Sequence, residues 1–173
     1  MAQEKHPECR KSAGDISIRT EIRAGDAGYI TFIHGRIYQK EYGYSTLFEA
    51  YVAKSFFDFL QNYDPSRDRL WCAEDGGTII GCIGIAGHGD RAQLRWFLIE
   101  PEYRGLGLGK KLLSLAVDFA RNRGYQTIYL DTTSDLTQAV GLYRKMGFEK
   151  VKETPNDSWK KGVTELEFSM DLS

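Results

Sequence analysis

Hydrophobic positions change their spacing several times along this chain, which predicts an alternation of strands and helices. Residues 16–23 alternate apolar and polar side chains, as a half-buried strand does. After Asp26 and again after Leu47 the apolar residues recur every three to four positions, which predicts two amphipathic helices. Asp26 is expected to cap the first helix, which ends near Gly43, and the second helix stops before Pro65.

The middle of the chain predicts a block of strands. Residues 70–74 and 78–86 are apolar runs joined by Asp-Gly-Gly, a sequence typical of a hairpin turn. Residues 87–90 form a second turn, and residues 93–99 form the next strand. The first and second of these strands carry Cys72 and Cys82, which we expect to lie side by side as small core residues.

The last third of the chain predicts a helix after a glycine-rich run, then a strand over residues 127–131 and a helix over about 135–146. Residues 148–152 and 163–170 are expected to pair across a loop at 155–161. No repeat or linker divides the chain. We therefore predict a flexible polar lead-in at residues 1–14 and one domain at residues 15–173.

Composition adds few constraints. The 173 residues are 42% hydrophobic and 27% charged, which are ordinary values for a globular domain. The net charge of -1 gives no electrostatic reason to expect nucleic acid or an anionic membrane as a partner. Three cysteines without metal-ligand spacing, and a polar start without a signal-peptide core, favour a cytoplasmic protein with reduced thiols and no metal site.

The most informative segment is the run R-G-L-G-L-G-K from Arg104 to Lys110, which follows an apolar strand and opens an amphipathic helix. Alternating glycines let the backbone turn tightly and leave N–H groups accessible. The first N–H groups of a helix lack partners within the helix, and they lie at the positive end of its dipole. The segment therefore predicts a phosphate-binding loop.

Two known phosphate-binding loops fit this segment poorly. A Walker-type loop requires a glycine where Arg104 stands and a serine or threonine where Lys111 stands. A dinucleotide fingerprint requires G-x-G-x-x-G directly after a strand, whereas four residues separate this strand from the glycines. Asp131, an acidic residue that ends the next strand, keeps a dinucleotide domain as the third alternative.

The arrangement of Arg104, Gly107 and Gly109 resembles the acetyl-CoA loop Q/R-x-x-G-x-G/A of the GNAT acyl-CoA N-acyltransferases. Residues 139–148, A-V-G-L-Y-R-K-M-G-F, resemble the A-x-x-L-Y-x-x-x-G-F segment of the same superfamily. The residues 94–97, 42–44 and Trp159 further resemble the acetyltransferase half of bacterial proteins that fuse this domain to a MarR-type regulator.

This resemblance implies an α/β (α+β) fold with a central mixed, mostly antiparallel sheet of about seven strands. The sheet would be splayed at the cofactor site and flanked by about four helices. It also implies direct transfer of acetyl from acetyl-CoA to a primary amine of a small molecule or peptide. The alternative is a non-catalytic acyl-CoA sensor, and a homodimer is left open.

The resemblance also assigns site residues. Backbone groups of Phe97, Leu98 and Ile99 are expected to hold the pantetheine arm. The pyrophosphate is expected to bind mainly backbone N–H groups of Arg104, Gly105, Leu106, Gly107, Leu108, Gly109 and Lys110. Many relatives have an asparagine at the position of Leu136, so Thr133 or Ser134 is expected to supply that cofactor hydrogen bond, unless it is absent.

Tyr143 matches the family tyrosine that protonates the departing thiolate, although a tyrosine that only packs in the core is the alternative. A phenol stays protonated at pH 7 and is able to donate to a forming thiolate. Family members that use a glutamate base carry it eleven residues before the loop arginine. This chain has Gln93 there, which leaves a low-pKa amine or one of four unranked bases: Glu41, Glu49, Glu100 and Asp131.

Three further residues are candidates for the acceptor site. Strand alternation places Arg95 on the same face as Gln93 and Phe97, where its guanidinium would hold a carboxylate of the acceptor. A solvated strand arginine is an equally good interpretation. Tyr42 and Tyr44 lie where the first two helices of the family wall the acceptor site, and packing between those helices explains them as well.

Overall fold

A computed structural model describes residues 16–173; the predicted lead-in at 1–14 lies outside this range, as does Cys9. The described part forms one seven-stranded sheet of order β1-β2-β3-β4-β5-β7-β6. Its strands are β1 Ser17–Arg19, β2 Arg69–Asp75, β3 Thr78–His88, β4 Arg91–Ile99, β5 Thr127–Thr133, β6 Glu149–Asn156 and β7 Val163–Asp171. The helices in the same range are α1 Asp26–Tyr42, α2 Thr46–Gln61, α3 Leu108–Asn122 and α4 Thr137–Lys145.

Strand directions confirm the predicted mixed sheet. Every neighbouring pair is antiparallel except β4 and β5, which run parallel and are connected through α3. Cys72 and Cys82 lie directly opposite each other in β2 and β3 as buried free thiols, as predicted. β6 and β7 pair as predicted, although β6 continues to Asn156, so the intervening loop is shorter than expected.

The start of the domain differs from the prediction at two points. β1 ends at Arg19 and does not reach Arg23, and the Arg19 side chain forms ion pairs with Glu74 and Asp26. Asp26 does not cap α1, since Gly25 occupies the cap position. The Asp26 carboxylate instead accepts hydrogen bonds from the Arg19 guanidinium and the backbone N–H of Arg23.

Helices cover both faces of the sheet. α1 and α2 pack on one face over a cluster that includes Ile33, Phe56 and Leu98. α3 and α4 pack on the other face over a second cluster, which includes Leu113 and Ile128. The predicted arrangement of an apolar stripe on each helix is thereby confirmed.

β4 and β5 separate part-way along their length. They pair at only three positions, of which Gln93 with Tyr129 is the last. Beyond it β4 continues to Ile99 beside β3, whereas β5 continues to Thr133 beside β7. The edge of β4 that faces the opening therefore presents backbone groups without a strand partner, and the predicted splay of the sheet is confirmed.

A β-bulge at Trp96 changes the facing of β4. Trp96 has φ 50, and the register with β3 shifts between the pairs Gly84–Arg95 and Cys82–Leu98. Such a bulge puts an extra residue on one strand and reverses the alternation beyond it. The expectation that Arg95 and Phe97 share a face was wrong for this reason. Arg95 contacts α2, whereas Phe97 packs on the α3 and α4 side.

Candidate active site

A groove runs along the open edge of β4 and ends at the glycine-rich loop. It has a volume of 350 Å³, and its walls include Leu98, Ile99, Gly105 and Gln138. Gly107 has φ 79 and occupies the cap position of α3, so the helix begins directly at the groove. A residue with a Cβ is strained in this left-handed conformation, which explains the glycine.

Gly109 is required for a different reason, since it lies where three elements meet. A Cβ there would lie 3.2 Å from Ile99 Cδ1 and 3.5 Å from atoms of Leu142 and Phe97. The first turn of α3 is thereby held close against β4 and α4. Leu108 is buried in the core, whereas Leu106 is 39% exposed, so neither leucine side chain fills the groove.

Arg104 and Lys110 give the groove its positive charge. The Arg104 guanidinium donates to Glu41 at 2.8 Å and to the Ile99 carbonyl at 3.0 Å. These contacts fix the arginine across the end of β4, while Lys110 lines the groove from the first turn of α3. Glu41, one of the four candidate bases, is therefore the ion-pair partner of the loop.

A second cavity, of 190 Å³, lies on the α1 and α2 side of the opening between β4 and β5. It shares part of its wall with the groove. The shared residues are Tyr38, Phe97, Leu136 and Ala139. The cavity and the groove thus adjoin each other along these four residues.

Tyr143 extends from α4 to the wall of the cavity and is 5% exposed. Its ring packs against Phe97, Phe148 and Phe168, with centroid distances of 6.0, 5.9 and 6.3 Å. Burial raises the pKa of the Tyr143 phenol far above its usual value. The phenol therefore remains protonated at neutral pH.

Two of the other tyrosines occupy different sides of the shared wall. Tyr44 lines the cavity, where its hydroxyl contacts Thr133 at 2.6 Å and donates to Asp135 at 2.8 Å. Tyr42 lines the groove instead. Tyr38 lines both spaces, and burial raises the pKa of its phenol strongly.

The side chain of Gln93 connects two charges on the cavity wall. Its Nε2 donates to Asp131 Oδ2 at 3.2 Å, and its Oε1 accepts from Arg95 Nη1 at 3.3 Å. The cavity wall raises the pKa of the Asp131 carboxyl by desolvation, and the charge of Glu165 raises it further, whereas the hydrogen bond from Gln93 lowers it. Asp131 is thus a carboxylate next to the position where the glutamate was expected.

The remaining candidate bases lie elsewhere. Glu100 is buried and paired with Arg36, and Glu49 lies beside Gly35 on the helical layer. Sequence reasoning missed Glu165, which β7 brings to the cavity, and His34, which α1 places in its wall. The Nδ1 atom of His34 contacts the Ile30 carbonyl at 2.8 Å, and burial lowers the pKa of His34 to about 4.

Comparison with known proteins identifies the family. Residues 35–148 match the model of the acetyltransferase (GNAT) family. The chain belongs to the GNAT family. It is 35% identical to the N-acetyltransferase YjgM of Escherichia coli K12 over 98 residues, which cover 54% of this chain and 59% of that protein. The chain spans about half the length of the curated relatives it matches.

Solved GNAT structures share the fold. A GNAT acetyltransferase from Staphylococcus aureus Mu50 superposes with a TM-score of 0.73 at 21% identity, covering 91% of this chain and 99% of that chain. The yncA protein of Salmonella typhimurium, solved with its cofactor acetyl-CoA, superposes with a TM-score of 0.69 at 18% identity, covering 92% of this chain and 95% of that chain.

This GNAT chain departs from the expected pattern near Leu136, which lies between the groove and the cavity. The hydroxyl of Thr133 forms a hydrogen bond with that of Tyr44, and the hydroxyl of Ser134 accepts a hydrogen bond from the backbone N–H of Thr164.

Within residues 16–173 no helix is long and apolar enough to span a membrane. The same residues contain no group of three or more His, Cys, Asp or Glu side chains placed to hold a metal.

Proposed function

We propose that this protein transfers an acetyl group directly from acetyl-CoA to the primary amine of a small molecule. The observation that carries the proposal is the shared wall formed by Tyr38, Phe97, Leu136 and Ala139. A thioester in the groove and an amine in the cavity would meet at this wall, and such positioning supplies much of the rate of a two-substrate reaction.

The groove fits the cofactor in its backbone chemistry. The open edge of β4 at Phe97, Leu98 and Ile99 offers the backbone groups that would bind pantetheine as an additional strand. The loop from Arg104 to Lys110 offers the N-terminus of α3 to the pyrophosphate.

Asp131 is the proposed general base, acting through a water molecule. Its carboxylate lies on the cavity wall, held by Gln93, and its raised pKa makes it a stronger base than an ordinary aspartate. It would take the proton that the attacking amine loses. Glu165, whose charge raises that pKa, would assist by keeping the cavity attractive to an ammonium group.

Tyr143 is the proposed general acid. Its buried phenol lies on the same cavity wall as Phe97, next to the position expected for the thioester. As the carbon–sulfur bond breaks, the phenol would donate its proton to the departing CoA thiolate. Acetyl-CoA supplies the activated acetyl group, and no covalent intermediate on the protein is needed.

The test is to mix the protein with acetyl-CoA and a panel of primary amines and to measure free CoA thiol together with the acetylated amine. The proposal predicts equal amounts of the two products for at least one amine. Saturable acetyl-CoA binding without thiol release for any amine would instead favour the acyl-CoA sensor. Binding of NADH in preference to acetyl-CoA would favour the dinucleotide domain.

A further inference from the structure

The acceptor cavity has on one wall a positive charge that forms no ion pair within the described residues. Arg95 donates to Tyr51 at 3.1 Å and to Gln93 at 3.3 Å, and its guanidinium lies 5.1 Å from the Trp96 ring centroid. All of these partners are neutral. No carboxylate within residues 16–173 forms an ion pair with Arg95. A guanidinium held by neutral partners is prepared to bind a carboxylate with two parallel hydrogen bonds.

The same cavity has two carboxylates on another wall that form no ion pair in the described part of the chain. Asp131 accepts from Gln93 at 3.2 Å, and Glu165 accepts from the side-chain amide of Asn156 at 2.9 Å. Both donors are neutral amides, and in the described part of the chain neither carboxylate forms an ion pair. Two like charges on one wall attract an ammonium group.

Gln93 fixes the spacing between these opposite charges. One amide group separates the guanidinium of Arg95 from the carboxylate of Asp131, with a hydrogen bond on each side. A glutamate at this position would instead neutralise Arg95 and repel Asp131. The amide therefore keeps a cation and an anion a short distance apart, so that they do not form a direct ion pair.

The rest of the cavity is apolar and aromatic. Phe48 and Trp159 lie 5.2 Å apart with their rings edge to face, and Val52 of the same apolar cluster also lines the cavity. Such a wall favours an apolar group on the acceptor, because burying it removes apolar surface from water.

Resting on the proposed function, we infer that the acceptor is a free α-amino acid with an apolar side chain. Its carboxylate would bind Arg95, and its amine would face Asp131 and Glu165. Its side chain would lie against Phe48 and Trp159. A peptide N-terminus fits less well, because it has no carboxylate next to its amine to pair with Arg95.

The experiment compares kcat/KM for L-phenylalanine, L-phenylalaninamide and 2-phenylethylamine, which share one aromatic side chain and differ at the carboxylate. Each is measured with the parent protein, with Arg95→Gln and with Arg91→Gln. Arg91 is the matched control, since it lies on the same strand but outside the cavity and pairs with Glu167. Dividing each parent value by the variant value cancels the different basicities of the three amines.

We expect Arg95→Gln to lower kcat/KM for phenylalanine by about tenfold to hundredfold, the range for a lost charge-assisted hydrogen bond. For the other two amines kcat/KM should change by less than about threefold. With Arg91→Gln the ratio of parent to variant kcat/KM should be the same for all three amines. Glycine should be at least about tenfold worse than phenylalanine, because it buries no side chain.

Equal losses for all three amines in Arg95→Gln would overturn the inference, since the arginine would then be a structural residue. A parent that acetylates phenylalaninamide as the best substrate, after correction for basicity, would overturn it in favour of a peptide N-terminus. Both results leave the proposed acetyltransferase function intact. Absence of turnover with every amine, despite acetyl-CoA binding, would contradict the function itself.

Discussion

Replacing Asp131 by asparagine tests the proposed general base. Asparagine is nearly isosteric and still offers an oxygen to the Gln93 amide, which donates to Asp131 at 3.2 Å. The substitution therefore leaves the shape of this wall nearly unchanged and removes proton acceptance together with the negative charge that would face the ammonium group. A positioned general base contributes about 10²–10⁴ in rate, and a base that acts through water belongs at the lower end. We expect kcat to fall about a hundredfold, or about 2.7 kcal/mol of activation free energy.

The pH profile distinguishes this role from a structural one. Asp131 must be ionised to accept a proton, so kcat/KM should fall on the acid side as pH drops through its raised pKa. Glu165→Gln removes a charge that raises this pKa and should move the acid limb to lower pH. Gln93→Ala removes a hydrogen bond that lowers it and should move the limb to higher pH.

The assay is the release of CoA thiol across a pH series, with circular dichroism to confirm folding. Glu153→Gln is the control, because Glu153 is an exposed carboxylate paired with Lys150 and should leave the acid limb unchanged. If Glu165→Gln and Gln93→Ala shift the limb in the same direction, or Asp131→Asn retains parent turnover, the base lies elsewhere.

The other predictions concern the acid, the loop and the core. Tyr143→Phe should lower kcat by about a hundredfold and leave the affinity for acetyl-CoA nearly unchanged. Equal turnover by the variant and the parent would show that Tyr143 is not the general acid. Gly107→Val should abolish acetyl-CoA binding in a titration, whereas Gly124→Val, an equally strained change at φ 77 beyond α3, should spare it; equal losses would reject the loop assignment. His34 has a pKa lowered to about 4 from 6.5, so the unfolded chain binds the proton first and stability falls as pH drops between these values. In urea unfolding, His34→Gln should reduce the change in unfolding free energy across this pH range by about 3 kcal/mol. An unchanged pH dependence in the variant would refute the prediction that His34 is the titrating group.

Local sequence patterns were sufficient to predict most helices and strands and the glycine-rich loop. The three-to-four-residue repeat located α1 and α2, and the Asp-Gly-Gly turn located the β2–β3 hairpin. The glycine spacing placed the start of α3 at the groove, because the positive φ at Gly107 is a property of one residue. These features depend on neighbours within a few positions, and such neighbours are visible in a sequence.

The acceptor cavity depends on contacts that are distant in sequence. Gln93 meets Asp131 only because β4 and β5 pair in parallel through three residues and then separate. Glu165 arrives from β7, which inserts between β5 and β6. No glycine or proline in the sequence marks the bulge at Trp96. Simple alternation along β4 therefore predicted the wrong face of the sheet for Phe97.

A single-turnover experiment with isotopically labelled acetyl-CoA tests the central claim most directly. The protein is held in excess over labelled acetyl-CoA, mixed with the amine of the panel that turns over fastest and quenched at intervals, and the label is followed by mass spectrometry in both the amine and the intact protein. Direct transfer predicts that the label passes from acetyl-CoA to the amine while the protein mass stays unchanged at every time. Label that accumulates on the protein, or that remains on CoA while acetyl-CoA is bound, would contradict the account.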